Sequence, residues 1–170
     1  AEGLAYTENL IQKWDRDPLV NIMVEPHSLY TCSDDLLKAC KSIADRYNVP
    51  LATHFLENKS EAKQLKEKIG GRATTYLRNM GLLNDRFIAF HGVVMDLDDI
   101  RLFADHGCKV VHNPESNMKL ASGVASISTM LEHGVVVGLG TDGCASNNNL
   151  DMFEEMDTAA KLEKSARLDP

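Results

Sequence analysis

Residues 135–149 read Val-Val-Val-Gly-Leu-Gly-Thr-Asp-Gly-Cys-Ala-Ser-Asn-Asn-Asn. Three β-branched residues in a row predict a buried strand, and Gly138 and Gly140 remove side chains where another group must approach the backbone. The strand delivers Asp142 to its C-terminal end, and a polar run separates it from a helix beginning near Leu150. An acid at the end of an apolar strand is costly unless it is paired or binds a metal. In parallel α/β proteins those strand ends are where ligands bind. Taken alone, Asp142 equally fits a cap on the following helix. The rest of the chain decides between the two.

Outward from that strand the same unit recurs. Apolar strands are predicted at 19–24, 50–55, 87–94 and 108–111, and helical spacing at 2–14, 34–47, 60–68, 74–80, 96–106, 124–133 and 150–165. Ser33 has the chemistry of an N-cap with Asp34 and Asp35 in the first turn, and the helices stop at Asn48, Gly70, Gly81, Gly107 and Gly134. Five successive strand–helix repeats predict an α/β fold, a parallel sheet built from right-handed crossovers. No Gly-x-Gly-x-x-Gly or Gly-Lys-Ser/Thr follows a strand, which counts against the nucleotide-phosphate folds.

The 170 residues suffice for one domain, 1–170, with no linker to divide it, but are short for a closed eight-stranded α/β barrel. A net charge of −7 argues against nucleic acid and anionic membrane surfaces as partners. No apolar run reaches spanning length, and residues 1–6 do not resemble a secretory signal. Cys32, Cys40, Cys108 and Cys144 are scattered without a Cys-x-x-Cys pair, as expected of reduced cytoplasmic thiols. The absent initiator Met and an opening inside helix-like sequence predict a piece of something longer.

Polar residues occupy matching places at the strand ends. His27 follows strand one, His54 and Glu57 end strand two, His91 lies in strand three, Asn113 follows strand four and Asp142 ends strand five. Parallel strands bring such ends to one rim, and two His with an Asp and a Glu suit a divalent metal such as zinc with an open position for water. A strictly extended chain would send His54 and Glu57 to opposite faces, so Glu57 is expected where the strand has already turned, as a proton carrier rather than a ligand. His106 and His133 each precede a helix-closing Gly and read as structural. His112 reads as holding the loop around Asn113-Pro114, and Met118, Met130 and Met152 as packing.

These residues sit in motifs that resemble the amidohydrolase superfamily. They are Pro26-His27-Ser28, His54-x-x-Glu57, Ala89-Phe90-His91, the run from His112-Asn113-Pro114 through Ser116-Asn117-Met118-Lys119-Leu120-Ala121-Ser122-Gly123, and the run from Gly140-Thr141-Asp142-Gly143 through Leu150-Asp151-Met152. The nearest branch is similar to the 5′-methylthioadenosine/S-adenosylhomocysteine deaminases, over about 20–162. The resemblance implies a partial TIM-type (β/α)8 barrel, about strands 4 to 8 with their helices. It implies His54 and Asp142 as ligands of one divalent metal, usually zinc; Glu57, His91 and Asp142 as catalytic residues; and His27 and Glu57 as substrate-binding residues. In the implied mechanism the metal lowers the pKa of its water, Asp142 with His91 helps take the proton, and hydroxide attacks C6 of an adenine ring. Glu57 protonates N1 and then the departing amine.

The sequence departs from the family pattern in one respect: it contains no His-x-His, the source of the first two metal ligands. The expected site is therefore incomplete, and activity belongs to a full-length cytoplasmic parent acting on a small adenosine-type substrate, the chain alone being inactive. Open sheet edges further predict a homo-oligomer or association with an N-terminal portion. Two alternatives stand beside this reading: an aminohydrolase or chlorohydrolase acting on another aza-aromatic ring, and a non-catalytic half-barrel.

Overall fold

The computed structural model describes residues 2–168. Helix α1, Glu2–Lys13, is followed by a loop and then by α2, Asp34–Tyr47. Ser33 caps α2 by accepting from Leu36 N, and Asn48 closes it in the left-handed conformation at φ +54°. Strand β1, Leu51–Phe55, leads to α3, Lys59–Ile69, and α4, Ala73–Asn79. Strand β2, Phe87–His91, leads to α5, Leu97–Asp105, whose N-cap Asp96 and Asp99 form a reciprocal capping box. Strand β3, Lys109–His112, runs into α6, Pro114–Lys119, then α7, Ile127–Glu132. Strand β4, Val136–Leu139, and α8, Met152–Arg167, complete the described chain.

The four strands form one parallel sheet in sequence order, each joined to the next through helices. Alternation sends Leu51, Thr53, Phe55, Phe87, Ala89 and Val110 into the buried layer under the helices. Phe103 of α5 packs there against Phe55 and Phe87, with ring centroids 5.5 and 5.9 Å away. The other face carries a row across the sheet: His54 beside Phe90, Phe90 beside Val111, Val111 beside Gly138. It is the arc of a barrel, with the helices outside.

Three expectations need correction. The strand at 19–24 does not form: Leu19 is 90% exposed, and Asp17 Oδ1 accepts from Leu19 N and Val20 N to make a turn. Only Val24 and Ser28 touch the sheet, as isolated parallel bridges to Leu51 and His54. Val24 donates to the Pro50 carbonyl and accepts from Ala52 N, so residue 26 would donate next; Pro26 has no N–H, and the pairing slips to His54 N donating to the His27 carbonyl. The strand at β4 forms but is not buried: Val136 is 60% exposed, on the same open face of the sheet as Gly138. β-Branched residues favour a strand whether or not it is covered.

The helix α6 lies where a loop was expected after His112. Pro114 occupies its first turn, where a missing N–H costs nothing.

Candidate metal centre and active site

Three strand ends are bent by the same device. Leu56 just after β1, His91 at the end of β2 and Asp142 beyond β4 all have positive φ, at +49°, +71° and +61°. For non-glycine residues this costs about 1–3 kcal/mol each and persists only where surrounding contacts hold it. By parity His91 would follow Phe87 and Ala89 into the helix layer. The left-handed turn instead brings its ring onto that of His54, with centroids 5.4 Å apart. Likewise Leu56 redirects the chain so that Glu57 leaves the strand alternation, as the His54-x-x-Glu57 spacing requires.

His54, His91 and Asp142 converge. One ligand atom from each lies within 4.8 Å of the others, and with Phe90, Asn113 and Glu25 they line a cavity of about 270 Å³. A larger cavity, about 640 Å³, opens beside Trp14, Tyr47 and Val49 near the N-terminal end of β1. It holds none of the clustered ligand side chains, so the smaller one is the chemically competent site.

The hydrogen bonds around the three residues leave suitable atoms exposed. His54 Nδ1 lies 2.8 Å from the His27 carbonyl, which only accepts, so Nδ1 carries the proton and Nε2 keeps its lone pair. His91 Nδ1 is engaged by Asn117 Oδ1 at 2.9 Å. Asp142 Oδ2 accepts from both Ser116 and Ser146 hydroxyls, at 2.7 and 2.6 Å, and neither serine engages Oδ1. Burial alone would raise the Asp142 carboxyl; the bonds from Ser146 and Ser116, the Gly143 N–H and the nearby His91 outweigh it and hold the group ionised below the usual carboxylate range. Two imidazoles and an ionised carboxylate make a nitrogen–oxygen donor set that fits a divalent metal of the zinc type.

His91 thus belongs to the same group of potential ligands as His54 and Asp142, where the family resemblance implies only the latter two. Glu57 is not part of that group and does not line the cavity: half-buried, it accepts from Ser122 Oγ at 3.3 Å through Oε1. His27 is exposed, with its ring 4.9 Å from His54 and its Nδ1 joined to Thr31 Oγ1 at 2.7 Å. His106 and His133 bond the carbonyls of Leu102 and Thr129 through Nδ1, closing their own helices. His112 is buried at the end of β3, its Nδ1 unpaired, and burial lowers its pKa to about 4.

Sequence reasoning gave no role to Ser116, Asn117 or Glu61. The first two stood inside a quoted motif, and their signal was adjacency to Pro114, which marks a helix start beside the rim. Glu61 stands four residues beyond Glu57 in what reads as a charged surface helix, yet is 3% exposed. The acid that caps the last helix is Asp151, accepting from Phe153 N, so the capping role does not fall to Asp142.

The profile of the amidohydrolase family matches residues 2–170. A 5-methylthioadenosine/S-adenosylhomocysteine deaminase of Syntrophus aciditrophicus is 64% identical over 99% of this chain and 38% of its own length. A 5′-deoxyadenosine deaminase of Methanopyrus kandleri is 48% identical over 89% of this chain and 35% of its own. Among solved structures, an adenosine deaminase from Xanthomonas campestris with bound zinc superposes with a TM-score of 0.95 at 39% identity, over 99% of this chain and 38% of that one. The chain therefore spans well under half the length of these relatives.

Proposed function

Since the chain belongs to the amidohydrolase family, we propose that it supplies one side of the active site of a hydrolase that deaminates adenosine-type nucleosides, 5′-methylthioadenosine and S-adenosylhomocysteine foremost. The activity is that of a polypeptide of its relatives' length. The observation that carries this reading is the convergence of His54, His91 and Asp142 within 4.8 Å at the C-terminal ends of parallel strands. Relatives named as deaminases of such nucleosides, at 64% and 48% identity, support the substrate class.

His54 and Asp142 would hold a divalent metal, with His91 beside them. Bound there, the metal would supply Lewis-acid activation of water near neutral pH. Asp142, kept ionised by its serine bonds, and His91 take the proton as water adds to C6 of the adenine ring. Glu57 donates a proton to N1, and the same carboxyl group then relays one to the exocyclic amine. The C6–N bond breaks, ammonia leaves and a hypoxanthine ring remains. His27 faces the substrate from the loop before β1.

The setting is proposed as cytoplasmic, which the four free cysteines support. Among the described residues no helix is long and apolar enough to cross a membrane. The outer edge of β4, with Val136 exposed, supports association with further barrel strands or a second copy.

Zinc-loaded protein of full relative length should release ammonia from 5′-methylthioadenosine, S-adenosylhomocysteine and 5′-deoxyadenosine. Failure on all of these, with hydrolysis of a chlorinated triazine instead, would overturn the assignment.

A further inference from the structure

Two adjacent residues of α6, Ser116 and Asn117, are completely buried, and each reaches a different strand end of the site. Ser116 Oγ donates to Asp142 Oδ2 at 2.7 Å, and Asn117 Oδ1 meets His91 Nδ1 at 2.9 Å. Successive residues on a helix point about 100° apart, so one short turn serves two strands. Both partners are the positive-φ residues His91 and Asp142, whose backbones need outside contacts to hold them. We propose that Asn117 and Ser116 are the positioning residues of this site. Asn117 fixes His91 as the Nδ1–H tautomer with Nε2 bare, and Ser116 anchors one oxygen of Asp142 so that the other is presented. The proposal rests on the reading of His91 and Asp142 as site residues, but not on the substrate.

The tautomer is the decisive point. With the amide oxygen as acceptor, Nδ1 must carry the hydrogen, and Nε2 can accept a proton or bind a cation. With the amide turned over, its NH2 would donate to a bare Nδ1, the hydrogen would move to Nε2, and both roles would be blocked. His54 already presents a bare Nε2, through its bond to the His27 carbonyl. The Asn117 orientation gives the neighbouring ring the same polarity. Asn117 Nδ2 makes no hydrogen bond and is buried. Replacing that nitrogen by oxygen therefore removes no bond, and Asn117→Asp keeps the acceptor while Asn117→Ala deletes it.

The test begins on the 170-residue chain without added metal. Nitrogen-15 shifts of the imidazoles should show His91 protonated at Nδ1 and bare at Nε2; the Nε2–H form would overturn the Asn117 half without any variant. Zinc affinity, read by competition with a chromogenic chelator, should fall about 10–100-fold in Asn117→Ala and in Ser116→Ala. Asn117→Asp should retain the tautomer and recover most of the affinity. An Asn117→Asp chain that binds no better than Asn117→Ala, or a Ser116→Ala chain with unchanged affinity, would overturn the corresponding half. Neither readout involves nucleoside turnover, so loss of the deaminase reading would leave this result standing, and the reverse.

Discussion

Both oxygens of the buried Glu61 carboxylate accept backbone N–H groups from the turn that carries Glu57: Oε1 from Leu56 N at 3.0 Å, Oε2 from Glu57 N at 2.7 Å. One acid in the first turn of α3 therefore fixes the left-handed turn at Leu56 and the direction in which Glu57 leaves β1. Removing the carboxylate by Glu61→Ala strands two N–H groups, each costing about 1–3 kcal/mol when unpaired. Urea denaturation should show a loss of roughly 2–4 kcal/mol. Glu61→Gln, with one oxygen, should lose less. An unchanged midpoint in Glu61→Ala would show that the turn holds itself.

Much of this arrangement was legible in the sequence. Ser33 caps its helix, Asn48 and Gly70 close theirs, and His54, His91 and Asp142 stand at the ends of β1, β2 and β4, where the strand–helix repeat put them. These are local signals, set by chemistry within a few residues. Two of the residues that were not legible act over distance: Asn117 and Ser116 each meet a partner 26 residues away. Glu61 acts on Leu56 and Glu57 close by, but its burial does not show in a charged helical run. The failed strand at 19–24 has a simpler cause: its apolar content was right, but the Asp17 turn engages the Leu19 and Val20 N–H groups, and only Val24 of the stretch reaches the sheet.

Glu57 and His54 should fail in different ways. In zinc-loaded protein of full relative length, Glu57→Gln should retain metal and lose roughly 10²–10⁴-fold in turnover, since an amide cannot relay a proton. His54→Ala should lose metal affinity first. Zinc content and initial rates on 5′-methylthioadenosine separate the two. Near-normal turnover in Glu57→Gln would remove Glu57 from the proton path.

Acid should destabilise the chain through His112. Burial lowers the folded pKa to about 4 against an ordinary 6.5, with Glu163 opposing the shift and His91 adding to it. Above pH 6.5 both states are neutral and the full stability is present. Between there and pH 4 the unfolded chain binds a proton that the folded chain refuses, so stability falls as pH falls, by about 3 kcal/mol in all. His112→Leu removes that linkage. Urea midpoints at pH 7 and pH 4.5 should therefore converge in the variant relative to the original chain. Parallel pH profiles would mean that His112 titrates alike in the folded and unfolded chain and contributes no linkage.

Gly138 and Gly140 look alike in the sequence but not in the structure. A Cβ on Gly138 would meet nothing within 4 Å, whereas one on Gly140 would lie 2.8 Å from Val111 Cγ1 and 2.9 Å from Asn113 Nδ2. Val111 belongs to β3, and Asn113 is the N-cap of the helix that holds Ser116 and Asn117. Gly140 is also tied to that strand through its N–H to the His112 carbonyl at 3.0 Å, so it cannot retreat without breaking the bond. Gly140→Ala must then push Val111 and Asn113 aside, at about 1–3 kcal/mol for overpacking. Displacing Asn113 shifts the start of α6, and with it the bonds to Asp142 and His91. Zinc affinity should fall together with stability in Gly140→Ala. Gly138→Ala should leave affinity alone and change stability little, slightly upward if anything, because alanine is less costly than glycine to order in a strand. Urea denaturation and zinc titration of the two variants side by side provide the measurement. Equal behaviour in both would mean that the close approach of Gly140 to Asn113 has no part in holding the site.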